Sequence, residues 1–161
     1  MNNIRVATIN VRTLQDDVKL ATAIQAAEKN QIDILALQEV RRTGFESTTF
    51  DDDSIKGWQM TWSGHKVKKI HGVAILCAPH VQIEEENEHL QARIISVRVS
   101  VKGMKLAILN SYAPTNSTKS ESAKNYFYSA LQKAKENLEK HPKFKIITLG
   151  DFNATIGTAS K

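Results

Sequence analysis

Side chains that could hold a metal ion or a phosphate follow four apolar segments of the chain. They are Asn10, Glu39, Tyr112, and Asp151 with Asn153. One short strand that ends in a polar residue is common, but four strands that each end in an acid, an amide or a phenol are harder to attribute to chance. If they gather at one mouth, they form an oxygen-rich site of the kind that Mg²⁺ or Mn²⁺ prefers. Such a site activates water and steadies phosphate charge.

The most informative of these ends lies near residue 150. Residues 145–149 are mostly apolar and β-branched, a pattern that predicts a strand buried on both faces. Gly150 then allows a sharp turn or a close backbone approach. Alternation places Asp151 and Asn153 on the same side and turns Phe152 into the packing. Because Gly-Asp-x-Asn is also ordinary turn chemistry, a purely structural turn is the alternative.

Glu39 ends a second apolar run, residues 33–38, which lacks alternation as a strand covered on both faces does. A carboxylate at the end of such a run is costly unless something compensates its charge. A metal ion would do so, and so would Arg41 or Arg42. The run itself favours neither.

Strands and helices alternate along the chain and must position these polar side chains. Strands are predicted at residues 4–10, 33–39, 58–63, 71–77, 93–101, 105–110 and 145–149. Residues 93–101 carry Ile94, Ser96, Arg98 and Ser100 on one face and Ile95, Val97, Val99 and Val101 on the other. Lys102-Gly103 supplies the turn of a hairpin. Residues 44–57 are interpreted as a loop, and residues 84–88 as an acidic connection.

Two helices are predicted from helical spacing of apolar residues. The first spans about residues 16–30, follows a capping-box pattern at residues 13–16, and carries the stripe Val18, Leu20, Ala21, Ile24 and Ala27. The second follows a similar pattern at residues 118–121 and is stopped by His141-Pro142. Its apolar face is Ala123, Phe127, Ala130, Leu131, Ala134 and Leu138.

Composition narrows the class of protein. At 161 residues with 41% hydrophobic and 24% charged residues, the chain is expected to be one globular domain or part of one. It lacks a membrane-length apolar run and a signal-peptide layout, and its single cysteine, Cys77, suits a packed thiol in a reducing compartment. We therefore expect an intracellular protein, nuclear if it acts on DNA. The net charge of +5 permits a nucleic-acid partner but equally suits solvated lysine-rich faces.

Several chemistries are disfavoured by missing motifs. No Gly-x-Gly-x-x-Gly follows a strand, no Cys/His cluster suits zinc, and no Gly-x-Ser-x-Gly supplies a serine nucleophile. The acid triplet of residues 51–53 lacks the spacing of a calcium loop and is interpreted as a solvated charge run.

Four motifs, in this order, resemble those of the endonuclease/exonuclease/phosphatase superfamily, whose fold is DNase I-like. They are Thr-Ile-Asn-Val-Arg at 8–12, Leu-Gln-Glu at 37–39, Asn-Ser-Tyr-Ala-Pro-Thr at 110–115 and Gly-Asp-Phe-Asn-Ala at 150–154. The likeness is closest to apurinic-type endonuclease domains of non-LTR (LINE-type, RTE/BovB-like) retrotransposons and to craniofacial development protein 2-like proteins. It implies an α/β (α+β) four-layer αββα sandwich, incomplete at the C-terminus, with residues 1–161 as the N-terminal portion of one domain.

The resemblance also implies a role for each polar strand end. Glu39 would be the principal ligand of Mg²⁺ (Mn²⁺ as a substitute), with Asn10 beside it helping to place metal and phosphate. Tyr112 would donate its hydroxyl to the scissile phosphate. Asp151 would orient or deprotonate the attacking water or protonate the leaving group, and Asn153 would position the nucleophile or the phosphate. The substrate would be DNA and the reaction hydrolysis of a phosphodiester, with no membrane partner.

The sequence departs from the family after its Gly-Asp-Phe-Asn motif. The family adds further strands, another Asp and a Ser-Asp-His motif, and none of the five histidines lies in that context. We therefore expect weak or no activity in this form. Two alternatives remain open: a non-catalytic nucleic-acid- or partner-binding remnant that uses residues 66–69 and the lysine-rich helix, and an abasic-site endonuclease or inositol-phosphate-type phosphatase of the same superfamily.

Overall fold

Two β-sheets face each other in the computed structural model, which describes residues 3–115 and 120–154. The first sheet contains β1 (Val6–Asn10), β2 (Ile34–Gln38), β3 (Phe45–Thr49), β4 (Gln59–Ser63) and β5 (Val73–Cys77), in the order β1-β2-β5-β4-β3. The second contains β6 (Gln82–Leu90), β7 (Ile94–Val101), β8 (Met104–Tyr112) and β9 (Lys145–Asp151), in sequence order. Helices α1 (Asp17–Lys29) and α2 (Glu121–Glu139) complete the described elements.

The core divides at β7, whose two faces belong to different hydrophobic clusters. Ile95, Val97 and Val99 face the first sheet and belong to the larger hydrophobic cluster, which also receives Leu20, Ile24 and Ala27 of α1. The opposite face of β7 contributes Ile94 to a second cluster, together with Phe127, Ala134 and Leu138 of α2. One helix therefore covers the outer side of each sheet, and the expected αββα layering is confirmed.

The helices form where predicted, but their caps differ from the proposed capping boxes. Asp16, rather than a residue earlier in the 13–16 pattern, caps α1 by accepting from the Val18 N–H at 2.8 Å. Ser120 caps α2 by accepting from the Ala123 N–H, and Thr118 of the second pattern lies outside the described residues. Val18 is 73% exposed, so its place in the predicted apolar stripe is wrong. It stands in the first turn on the exposed side of the helix, whereas Leu20 in the same turn is buried.

Two predicted connections are strands. Residues 45–49 form β3, whose side chains are all exposed, and the acidic residues 84–88 lie within β6. Both are edge strands with few apolar residues, so periodicity gives little signal. β6 pairs with β7, and hydroxyls of the first sheet also bond to it: Thr61 donates to Glu86, and Ser63 donates to Glu88.

β9 is an edge strand in the described part of the chain, bonded to β8 on one side. Its residues are only partly buried or exposed, so the prediction of a strand buried on both faces is wrong. Its apolar residues pack only partly: Ile147 and Leu149 lie against the larger cluster and Ile146 against the second.

The remaining global expectations concern Cys77 and membranes. Cys77 is fully buried in β5, and burial raises the pKa of its thiol to about 12, as expected of a packed rather than a reactive cysteine. Neither α1 nor α2, the helices of the described chain, is long and apolar enough to cross a membrane.

Candidate functional site

The ends of two parallel strand pairs place the candidate residues at one rim of the sandwich. Asn10 lies beside Gln38 at the end of β1–β2, and Tyr112 lies beside Asp151 at the end of β8–β9. The carboxyl ends of parallel strands emerge at the same edge of a sheet. Because β1 also contacts β9, the rims of the two sheets meet, and Glu39 follows β2 into the same place.

Hydrogen bonds join four of the predicted residues into one network. The Asn10 Nδ2 donates to Glu39 Oε1 at 2.9 Å and to Asp151 Oδ2 at 3.0 Å. The Tyr112 hydroxyl donates to the same Glu39 oxygen at 3.0 Å. The gathering of strand ends that the sequence suggested is therefore present in the structure.

A buried polar pair beneath this network fixes the two sheets relative to each other. The Gln38 Nε2 donates to Asn110 Oδ1 at 2.8 Å, and Asn110 Nδ2 donates to the carbonyls of Leu37 and Ala74 at 2.9 and 2.8 Å. Gln38 and Asn110 are 1% and 0% exposed, so these bonds are shielded from water. Since Gln38 precedes Glu39 and Asn110 lies two residues before Tyr112, the pair sets the distance between those two site residues.

Left-handed backbone conformations cluster around the same rim. Glu39 has φ 57°, Arg41 54°, His71 55° and Asn153 45°. Each such conformation costs a non-glycine residue about 1–3 kcal/mol and persists only where the surroundings impose it. At Glu39 it ends the extended path of β2.

Asp151 is held by a local turn as well as by Asn10, so both interpretations of this motif apply. Its Oδ1 accepts from the Asn153 N–H at 2.9 Å, and Asn153 Nδ2 donates to the Ala113 carbonyl at 2.7 Å. Phe152 is 37% exposed, so the prediction that it points into the packing is wrong. The strand ends at Asp151 and the chain turns at Asn153, which ends the alternation on which that prediction depended.

Gly150 permits the close approach of β9 to β8 just before Asp151. A Cβ at this position would lie 2.2 Å from the Ser111 carbonyl oxygen, well inside contact distance. The glycine therefore places the Asp151 carboxylate rather than merely ending the strand.

The charge of Glu39 is partly compensated by Arg41, one of the two arginines considered from the sequence. Arg41 Nη2 lies 3.3 Å from Glu39 Oε2, whereas Arg42 turns away and donates from Nε to the Leu14 carbonyl at 3.0 Å. The bond from Asn10 contributes most to lowering the pKa of Glu39, burial opposes it, and the bonds from Tyr112 and Arg41 assist. Glu39 is therefore ionised at neutral pH.

Two residues near Tyr112 were not assigned a role from the sequence. The Arg93 guanidinium lies 4.8 Å from the centre of the Tyr112 ring and donates to the carbonyls of Tyr112 and Ala113. The His71 ring centre is 6.0 Å from that of Tyr112, and burial, followed by the charge of Arg93, lowers the pKa of His71. No sequence signal pairs Arg93 with a tyrosine nineteen residues away.

The donor set suits a hard divalent cation. Among the described residues no three of His, Cys, Asp and Glu form a metal-binding group by themselves. Mg²⁺ commonly uses one or two carboxylates and completes its shell with water and substrate phosphate. Glu39 and Asp151, which accept from the same amide nitrogen, fit that pattern. Asn10 presents its nitrogen to them, and its oxygen accepts from the Arg12 N–H at 3.0 Å.

The fold matches solved structures of nucleases and related enzymes. The endonuclease domain of TRAS1, a telomere-specific non-LTR retrotransposon, has a TM-score of 0.66 at 18% identity, covering 96% of this chain and 61% of that one. An AP endonuclease from Archaeoglobus fulgidus has a TM-score of 0.63 at 23% identity, covering 92% and 57%. The human Nocturnin catalytic domain has a TM-score of 0.66 at 18% identity, covering 94% and 64%. These likenesses define the fold as DNase I-like.

The sequence itself places the chain in a family. Residues 7–159 match the Endonuclease/Exonuclease/phosphatase family, and the chain belongs to it. It is 32% identical over 156 residues to craniofacial development protein 2 of Bos taurus and 31% identical over the same length to that of Tragulus javanicus. The matches cover 95% of this chain but 24% and 25% of those proteins, so the chain spans about a quarter of the curated relatives' length.

Proposed function

We propose that this chain carries the metal-dependent phosphodiester-hydrolysing centre of a DNA endonuclease of the non-LTR retrotransposon type. The observation that carries the proposal is the network of Asn10, Glu39, Tyr112 and Asp151 at the meeting rims of the two sheets. Membership of the Endonuclease/Exonuclease/phosphatase family gives the reaction class. Likeness to the TRAS1 endonuclease domain supports the finer assignment.

Glu39 is the proposed principal ligand of Mg²⁺, with Mn²⁺ as a substitute, and Asn10 keeps its carboxylate aligned. The bound ion would neutralise the charge that develops on the phosphate. Tyr112 would turn its hydroxyl from Glu39 to a phosphate oxygen, where a fixed donor is most useful as charge builds. Asp151 would accept a proton from the attacking water or return one to the leaving oxygen.

Asn153 has a positioning role in this scheme. Its backbone N–H holds Asp151 Oδ1, and its side chain is anchored on the Ala113 carbonyl. These two bonds fix the direction in which the other Asp151 oxygen points. Asn153 thereby supports the residue that handles the proton.

DNA is the proposed substrate, and the nucleus the proposed compartment. Support comes from the net charge of +5 and from neighbours whose structures include an AP endonuclease and a Neisseria 3′ phosphatase bound to product DNA hairpin. The chain covers 57–64% of the three structures described above, so we propose that it forms the N-terminal portion of one domain and is weakly active by itself.

Nicking of supercoiled plasmid tests the proposal. The folded chain should nick in Mg²⁺ and not in EDTA, and Glu39→Gln and Asp151→Asn should each remove the activity. Asp53→Asn, an exposed change of the same kind, is the matched control. Absence of metal-dependent nicking from a chain that unfolds cooperatively would contradict the proposal. DNA binding that ignores both EDTA and Glu39→Gln would then favour a non-catalytic binding role.

A further inference from the structure

A basic cleft opens beside Glu39 on the first sheet. Its volume is about 210 Å³. It is lined by Gln15, Arg41, Arg42, Thr43, Glu46, Trp62 and Lys69. Pockets that enclose drug-sized ligands are larger, about 300–1,000 Å³.

We infer that the basic cleft holds an internucleotide phosphate of the DNA strand at a distance from the scissile bond. The inference rests on the proposed function and extends it, because it names a second contact that a polymeric substrate makes and a small phosphate ester does not. Guanidinium groups bind phosphate through paired N–H donors, and an ammonium adds a point charge.

Arg41 links the cleft to the candidate active site. One of its terminal nitrogens lies 3.3 Å from Glu39 Oε2, and the same side chain lines the cleft. A strand whose phosphate occupies the cleft would therefore pass Arg41 before it reaches Glu39. Continuity of this kind is what a polynucleotide track requires.

Arg42 is preorganised as a phosphate ligand. Its guanidinium lies 5.4 Å from the centre of the Trp62 ring, and its Nε donates to the Leu14 carbonyl. Trp62 is in turn fixed by a 3.0 Å bond from Nε1 to the Thr43 carbonyl. Fixing a long side chain before binding removes part of the entropy cost of ordering it on the ligand. The ion pair of Arg42 with Asp17 is long, 3.8 Å, and Asp17 is 96% exposed, so it competes weakly.

The charge balance of the cleft favours an anion. Three cationic side chains line it against one carboxylate, Glu46. Two further carboxylates pair with the arginines from outside: Glu39 with Arg41, and Asp17 with Arg42 at the longer distance. Lys69 stands at the end of the exposed run of residues 66–69, which adds two more lysines nearby. The lysines of α2 belong to a different surface, because α2 packs on the outer side of the second sheet.

Equilibrium binding to DNA tests the inference without requiring catalysis. A short fluorescein-labelled duplex is titrated with the chain in EDTA, by anisotropy, over a series of NaCl concentrations. The association constant K falls as NaCl rises, so log K plotted against log[NaCl] has a negative slope. Each lost phosphate contact reduces the magnitude of that slope by about 0.9. Because the cleft holds one phosphate, Arg42→Gln/Lys69→Gln should weaken binding and reduce the magnitude of the slope by about 0.9. Lys133→Gln/Lys135→Gln on α2 removes the same charge and should leave the slope unchanged.

Lys69→Gln alone is the second variant, since Arg42 packs on Trp62 and its loss can disturb folding. Lys69 is exposed, and its substitution should weaken binding and reduce the magnitude of the slope by at most about 0.9, at unchanged thermal stability. Equal losses in the cleft and α2 variants, or no loss in the cleft variants, would overturn the inference.

The two proposals fail in different ways. Cleft-dependent binding without Mg²⁺-dependent nicking would leave the inference standing and remove the endonuclease. Nicking that is abolished by Glu39→Gln but unaffected by the cleft variants would do the reverse. If both hold, the cleft variants should slow plasmid nicking while leaving hydrolysis of bis(p-nitrophenyl) phosphate unchanged.

Discussion

Asn10 and Asp151 are 141 positions apart in the chain, yet Asn10 Nδ2 donates to Asp151 Oδ2 at 3.0 Å. The bond joins β1 of the first sheet to β9 of the second, at the rim where both end. The same nitrogen also serves Glu39, so one amide keeps two carboxylates apart and aligned. Without it, two like charges would face each other at close range.

Replacing Asn10 by Ala should therefore impair the site more than the fold. Groups that orient metal ligands typically contribute 10–100-fold to metal affinity or activity, and we expect a loss of about that size in nicking, partly recovered at high Mg²⁺. The matched change is Asn87→Ala, which removes a 2.8 Å amide–carboxylate bond on β6. Equal activity of the two variants would contradict the assigned role.

Tyr112→Phe should separate the contribution of the Tyr112 hydroxyl from that of its ring. The ring keeps its place against Arg93, and only the donor to Glu39 is lost. Removal of one donor aimed at developing charge costs about 10²–10³-fold in rate, which we expect in kcat for nicking. Tyr126→Phe on α2, where the ring is 67% exposed, should have no effect. A fall in stability that accounts for the lost activity would argue for a structural role instead.

Gly150→Ala should displace Asp151. The added methyl would lie 2.2 Å from the Ser111 carbonyl oxygen, so β9 must shift away from β8. We expect both a lower urea midpoint and a loss of nicking. Gly103→Ala is the control, because Gly103 also has a positive φ but has no atom within 4 Å of the new Cβ. Its cost should be only the backbone strain of an L-residue at positive φ, about 1–2 kcal/mol, with nicking retained.

Asp33 lies at the opposite end of the strands from the candidate site, directly before β2. It should make the folded state sensitive to acid. Burial alone would raise the pKa of this carboxyl, but bonds from Lys102, the Arg5 N–H and His80 outweigh it and the net shift is downward. A depressed folded pKa gives stability that is present above the unfolded value, about 3.9, and lost as pH falls through the folded one.

Asp33→Asn should accordingly cost about 1–3 kcal/mol at pH 7, because Lys102 loses its counter-charge. The difference from the parent should shrink as pH falls below about 4. Urea unfolding at pH 7 and at a pH below about 4 measures the difference in stability between variant and parent. Asp53→Asn serves as an exposed control. A difference that is constant with pH would show that the Asp33 charge is not responsible.

Strong local patterns predicted much of this structure. The alternation in β7 correctly assigned Ile95, Val97, Val99 and Val101 to one face, and polar residues after apolar runs drew attention to Asn10, Glu39, Tyr112 and Asp151. β3 and β6 escaped prediction because edge strands without an apolar face are stabilised by their neighbours rather than by their own pattern.

The remainder depends on distant partners. The Gln38–Asn110 bond spans 72 positions, and nothing in either local sequence specifies that partner. Phe152 was misplaced because the turn at Asn153 ends the strand before it. The prediction that β9 is buried on both faces is wrong because the composition of a strand does not reveal which elements cover it.

The burial of Cys77 has a practical consequence. It is the only cysteine in the sequence, and with no exposed surface and a thiol pKa of about 12 it should not react with maleimide reagents in the folded chain. A cysteine introduced at an exposed position would therefore be labelled selectively without first mutating the native one. A fluorophore or spin label could then be attached to a cysteine introduced beside the rim where the two sheets meet, with Cys77 left in place.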